Sequence, residues 1–228
     1  MTHAKLLFIY SNNILFMMKK IYLLPILLGL GNYAFADHTP RHHCLVGQVT
    51  SVKGTVELER KSNKITPVEG TKICKGDKFT TAQGSVAELK LRDGTKLTVG
   101  RDSQLVIREY KIYRKQPNVA LFDLLQGAFR SITGSITKRP HKFEVKTAVA
   151  TIGVRGTDFW GGYGVTPDGA LDVIMLSGKG VYVKNDKGQV ELDKAGLGTT
   201  INADGTLGDV KAWPEEKVGR AVATITPD

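Results

Sequence analysis

Imidazole and thiolate are the side chains on which metal and nucleophilic chemistry most often rests, and here they crowd one place: His38, His42, His43 and Cys44. Such a set could bind copper or zinc. Its spacing matches no four-ligand structural site, however, and adjacent His42 and His43 would point to opposite sides of a strand. The stretch is read as a polar leader, with no metal and no cofactor expected. His141 stands in a basic run without a partner motif, so neither a Ser-His-Asp nor a Cys-His arrangement can be assembled. There is no Gly-x-Ser-x-Gly elbow and no His-Glu-x-x-His. The glycines from Gly153 to Gly164 lie among strand-forming residues, where a phosphate loop needs a following helix. No enzymatic activity is expected.

The most specific segment runs from Lys146 to Phe159, where Thr, Val and Ile favour extended chain while Gly153 and Gly156 each suggest a bulge, a bend or a close backbone approach. In an unbroken strand Ile152 and Val154 share one face and Arg155 the other. A buried Arg must find carboxylate or carbonyl partners, and Asp158 is the nearest candidate. Arg155 is therefore expected to be an internal strut bonded to Asp158 or to turn carbonyls. The alternative is an Arg on a partner-facing surface beside Phe159, Trp160 and Tyr163, since aromatics next to Arg are common interface anchors. Gly161-Gly162 is expected to serve strand curvature.

Around this segment a period of two dominates. Val49 and Val52 bracket a strand that turns at Lys53-Gly54. Val86 to Leu91 turns at Asp93-Gly94 into Lys96 to Val99, and Gln104 to Tyr110 follows. Asp168-Gly169, Asn185-Asp186-Lys187-Gly188 and Asp204-Gly205 supply further turns. Val119 to Ile132 is read as strands, because Gly127 interrupts the helix-like start and alternation resumes at Phe129. Many short strands with regular turns imply one all-β domain, although periodicity does not separate sandwich, barrel and β-helix. At the C-terminus Trp213-Pro214-Glu215-Glu216 reads as a helix start, with the helix running to about Val222, Trp213 and Val218 packing on the domain, and the last residues frayed.

Lys19-Lys20, the apolar run Ile21 to Leu30 and Ala34-Phe35-Ala36 read as the parts of an export signal. Residues 1–36 are thus expected to be removed, with Met17 or Met18 as the start and Asp37 as the mature N-terminus. Pro25 breaks the run, which is far shorter than the roughly 20 apolar residues of a spanning helix, so the mature chain is not expected to span a membrane. The net charge of +10, less Lys5, Lys19 and Lys20, leaves +7 on the mature part. A basic exported protein meets anionic lipid, phosphorylated polysaccharide or acidic protein more readily than nucleic acid. The basic side chains Arg130, Lys138, Arg139, Lys142 and Lys146, with His141 among them, form the candidate patch. In an oxidising compartment the two cysteines, Cys44 and Cys74, are expected to pair, closing a loop of about thirty residues and contributing roughly 3 to 4 kcal/mol.

The runs Phe143-Glu144-Val145-Lys146-Thr147 and Ala150 to Phe159 resemble the signature of the FecR domain. Its core here is Gly153, Val154, Arg155, Gly156, Thr157, Asp158 and Phe159. Val46 to Val49 with Gly54-Thr55-Val56 resembles the family's opening hairpin and Leu91 with Asp93 to Gly100 its central one, and Leu125 to Arg130 also fits the family. Leu176 to Val183 with Leu192, Ala195 and Gly196 resembles its closing pattern. Ala148 stands where the family often has proline. The resemblance implies a periplasmic all-β domain over residues 45–202, built as a twisted, solenoid-like stack of short strands; the polar leader at 37–44 precedes it and the tail with its short helix at 203–228 follows. It also implies a non-enzymatic binding or signalling module that contacts an envelope protein or wall component. Full-length members carry a membrane helix and a cytoplasmic sigma-regulating segment ahead of the module, and no direct anti-sigma role is expected of this chain. The second reading is a structural protein that binds anionic polysaccharide.

Overall fold

The computed structural model describes residues 46–138 and 140–227. These fold as two nine-stranded sheets, I and II, between which the chain passes back and forth. It opens with β1 (Gly47–Lys53) in sheet I, crosses to sheet II for β2 (Val56–Arg60) and β3 (Asn63–Ile65), and returns for the short β4 (Lys72–Ile73). β5 (Lys78–Thr81) lies in sheet II. The hairpin β6 (Val86–Leu91) and β7 (Lys96–Val99) falls in sheet I, and β8 (Gln104–Lys111) with β9 (Asn118–Gln126) in sheet II. β10 (Ala128–Ile132) comes back to sheet I. After a 3-10 turn at Ser135–Lys138, β11 (His141–Lys146) and β12 (Thr151–Val154) join sheet II. β13 (Thr157–Gly162) and β14 (Leu171–Gly178) then lie in sheet I, and β15 (Val181–Asn185) and β16 (Gly188–Leu192) in sheet II. β17 (Leu197–Ile201) and β18 (Lys211–Ala212) close sheet I, and helix α1 (Glu215–Ala223) ends the chain.

Strand order within each sheet follows chain order almost throughout: β4-β1-β6-β7-β10-β13-β14-β17-β18 in sheet I and β3-β2-β5-β8-β9-β11-β12-β15-β16 in sheet II. The result is an open stack of hairpins laid alternately into two layers, as the solenoid-like reading implied. Pairing is antiparallel except between β9 and β11, which run parallel on either side of the 3-10 turn. Gly127 separates β9 from β10 at φ +76°. That backbone state carries little penalty only for glycine, and it lets Val119–Ile132 form two strands in different sheets.

Alternation builds the core. Phe143 and Val145 of β11 point inward while Lys142, Glu144 and Lys146 point out, and the same rule puts Phe122, Phe129 and Phe159 between the sheets. Phe122 meets Phe143, and Phe129 meets Phe159, each at a centroid distance of 5.3 Å, a separation at which aromatic pairs add about 0.5 to 1.5 kcal/mol beyond area burial.

A second apolar cluster lies on the outer side of sheet I. Ala128, Trp160 and Ile174 point away from the main core, yet they are buried under α1 by Trp213 and Ala221. Glu215 and Glu216 sit in the first turn of α1 and Arg220 in the last, favourable placements for the helix dipole. Pro214 is the N-cap, in extended conformation, rather than the first helical residue. The tail expected to fray is held instead. Trp160 Nε1 donates to Thr224 Oγ1 at 3.0 Å, and Arg101 N donates to Thr224 O at 2.8 Å. No helix among the described residues is long and apolar enough to cross a membrane.

Candidate functional site

The signature segment is a strand, a crossing and a second strand. β12 ends at Val154 in sheet II and β13 begins at Thr157 in sheet I, so Arg155 and Gly156 carry the chain between layers. Gly156 makes that step at φ +84°. Its neighbours therefore do not share the single strand assumed from sequence, and the expected Arg155–Asp158 strut is not formed. Arg155 instead reaches across β15 to Glu191 on β16 at 3.0 Å, with its side chain 57% exposed. Asp158 receives two bonds from Arg130 of β10, Nε at 2.9 Å and Nη2 at 2.7 Å. An exposed pair contributes about 0 to 1 kcal/mol. Arg155→Ala is expected to move the melting temperature by no more than about 3 °C in a domain of this size, a measurement that distinguishes this exposed pair from the buried strut.

Thr157 is the true junction. Its amide donates to Thr133 Oγ1 at 2.7 Å and its hydroxyl to Gly180 O at 2.8 Å, while Gly180 N donates back to Thr157 Oγ1 at 3.2 Å. One buried hydroxyl thereby joins β13 to the turn between β14 and β15. Val154 and Phe159 are core residues, 2% and 0% exposed.

Gly153 confirms a close approach. A Cβ there would fall 1.9 Å from the Tyr182 ring, which lies over the glycine and donates from its hydroxyl to Glu144 Oε1 at 3.1 Å. Gly161 and Gly162 serve contact rather than the curvature expected of them. A Cβ on Gly162 would stand 2.4 Å from Ala128 Cβ and one on Gly161 3.0 Å from Ile152 Cδ1, while the register shift of β13 against β14 sits earlier, between Asp158 and Phe159. Trp160 is buried under α1 and Tyr163 packs against the main core.

Tyr182 is a titration handle. Burial, then the Glu144 carboxylate, push its pKa up to about 12 from the ordinary 10. Tyr110 is raised by burial and by Asp93. A raised folded pKa gives stability that is complete below pH 10 and lost as the pH climbs toward 12. Urea midpoints followed from about pH 8 upward should fall less steeply in Tyr182→Phe than in the parent. Equal slopes would show that Tyr182 does not contribute.

The candidate basic patch is divided by the fold. Arg130 lies on the outer face of sheet I, paired with Asp158, whereas Lys142 and Lys146 lie on the outer face of sheet II, with Lys142 at 3.3 Å from Glu144. Lys138 belongs to the 3-10 turn, Arg139 lies outside the described residues, and His141 opens β11, its Nε2 2.9 Å from Val154 O. The His38, His42, His43 and Cys44 set also lies outside the described residues. Among those described, no group of three or more His, Cys, Asp or Glu is placed to hold a metal ion.

Cys74 is buried and no described cysteine is free. Its turn is held by Asp77, which is 0% exposed and accepts from Cys74 N at 2.8 Å and from Arg60 Nε and Nη2 at 2.7 Å each.

The FecR protein family model matches residues 77–179, which run from the start of β5 to just beyond β14 and include the whole Gly153–Phe159 signature. The resemblance to the FecR domain read from the sequence is thereby shown over that stretch. The expected opening hairpin is not one, since β1 and β2 lie in different sheets; these opening strands and the closing ones fall outside the matched span but continue the same two sheets. Two crystal structures of a proposed anti-sigma factor from Parabacteroides distasonis are each 19% identical, with a TM-score of 0.48, over 62% of this chain and 62% of that one. The chain thus spans less than two thirds of that protein's length. No curated protein matches it.

Proposed function

We propose that this chain is an exported, non-enzymatic FecR-type signalling module that works by contacting another protein of the bacterial envelope. The family match over residues 77–179 carries the reading. It is supported by a signature whose side chains are spent on crossing between sheets, on core packing and on ion pairs. A periplasmic location and removal of residues 1–36 follow from the order of the Lys pair, the apolar run and Ala34-Phe35-Ala36. A Cys44–Cys74 bond in the oxidising compartment belongs to the same proposal.

One preparation tests these points. Protein released from the periplasm should begin at Asp37, and non-reducing mass spectrometry should find Cys44 and Cys74 oxidised together. An intact N-terminus in the inner membrane, or free thiols, would contradict the export reading. For the partner, reciprocal purification from envelope extracts should return one defined protein with either member as bait. Recovery of none, while other envelope complexes survive the same extraction, would count against the signalling role.

A further inference from the structure

Cations on both outer faces meet acids, as Arg130 of sheet I meets Asp158. On sheet II the cations meet acids across the strands: Lys78 with Glu59, Arg108 with Asp123, Lys184 with Glu144. On sheet I, Lys90 of β6 stands directly opposite Lys96 of β7. Both side chains are exposed on the same face, and neither has an ion-pair partner among the described residues. Like charges directly opposed destabilise a sheet, so this pair is a local cost that an anion would relieve.

The surroundings fit such an anion. Lys90 and Lys96 line a depression of about 410 Å³ with Thr98, Glu88 and Arg130. Past Lys90 it adjoins a second depression of about 420 Å³, where Lys72 and Arg92 stand. The two are lined by Lys72, Lys90, Arg92, Lys96 and Arg130, with Glu88 as the acid of the lining and Asp158 already paired to Arg130. Lys72 lies two strands from Lys90 in the order β4-β1-β6, roughly 10 Å at the usual strand spacing. A monovalent carboxylate can neutralise one ammonium of the opposed pair. A phosphate polymer carries about one charge on each successive phosphate, so neighbouring phosphates at close spacing can answer both ammoniums, with the Thr98 hydroxyl as an added donor.

The geometry points to the outer face of sheet I as a binding track for a phosphate-bearing polymer, with Lys90 and Lys96 gripping neighbouring phosphates and Lys72 meeting one further along the chain. This goes beyond the signalling reading and does not depend on it. The track also differs from the basic patch expected from sequence, sharing only Arg130 with it.

Titration of the full mature chain with short-chain polyphosphate tests the inference. Binding should weaken as salt is added. The double variant Lys90→Gln/Lys96→Gln should lose roughly tenfold or more in affinity, while Lys142→Gln/Lys146→Gln, on the other sheet, should bind as the parent does. The Lys90/Lys96 variant should melt no lower than the parent, because it removes a repulsion, so a loss of binding is not a loss of fold. Inorganic phosphate should bind far more weakly than the polymer. Failure to bind polyphosphate would overturn the inference, as would an equal loss in the control variant. Poly-glutamate binding as tightly as polyphosphate would overturn the phosphate assignment, and inorganic phosphate binding as tightly would reduce the track to a single-ion site.

Discussion

Asp77→Ala is expected to lower stability by about 3 kcal/mol, a melting-temperature loss of about 6 to 12 °C for a domain of this size. Asp77 has no solvent exposure and accepts from both Arg60 Nε and Nη2, each at 2.7 Å, and from the Cys74 amide. Its removal strands a guanidinium and a backbone donor together, and breaking a buried pair from one side costs about 3 to 5 kcal/mol. The lower end applies because the Arg60 side chain keeps 25% exposure and can reach water. Arg60→Met combined with Asp77→Ala should recover part of the loss, since no charge is then left unpaired. A single variant that melts with the parent would show that the pair does not fasten β2 to the Cys74 turn.

Asp172→Ala should have a comparable but more local effect. The Asp172 carboxylate, 0% exposed, accepts from Thr166 N at 2.8 Å, Thr200 Oγ1 at 2.6 Å and Lys217 Nζ at 2.6 Å. Lys217 belongs to α1, and its ammonium also lies 4.2 Å from the Trp213 ring. Without the carboxylate the ammonium is drawn toward water and α1 loses its polar anchor, at a cost of about 3 kcal/mol. The chain has two tryptophans, Trp160 and Trp213, and both lie in the contact beneath α1. Tryptophan emission therefore reports helix docking, whereas far-ultraviolet dichroism reports the sheets. In Asp172→Ala the emission should shift red at lower denaturant than the dichroism changes. Coincident transitions would mean that α1 does not come away separately.

The strands were legible because their signals are local. Asp93-Gly94 marks a turn, alternation from Val86 and from Lys96 marks which side chains face inward, and the pairing of Lys90 with Lys96 could have been counted outward from Asp93. Partners across the sheets were not legible. Arg155 was matched to Asp158 as its nearest acid, but its actual partner Glu191 lies 36 residues on and Arg130 lies 28 residues before Asp158. Nothing in a two-residue period shows that the backbone changes layer at Gly156. Trp160 illustrates the complementary limit: its register turns it away from the main core, and only the packing of α1 makes that outward position a buried one.

The order in which the hairpins are stacked bears on how such a chain can assemble. Emerging N-terminus first, each new strand of sheet I finds its neighbour already made: β6 meets β1, β10 meets β7, β13 meets β10 and β17 meets β14. The growing end always presents an unpaired edge that the next segment covers, so the template for addition is internal and travels with synthesis. The C-terminal segment departs from this rule. Arg101 Nε bonds to Ala223 O across 122 residues, so the α1 segment folds back over strands laid down much earlier. Docking of α1 is thus a step that cannot occur until β10, β13 and β14 beneath it are in place, and only then are Trp160 and Ile174 buried.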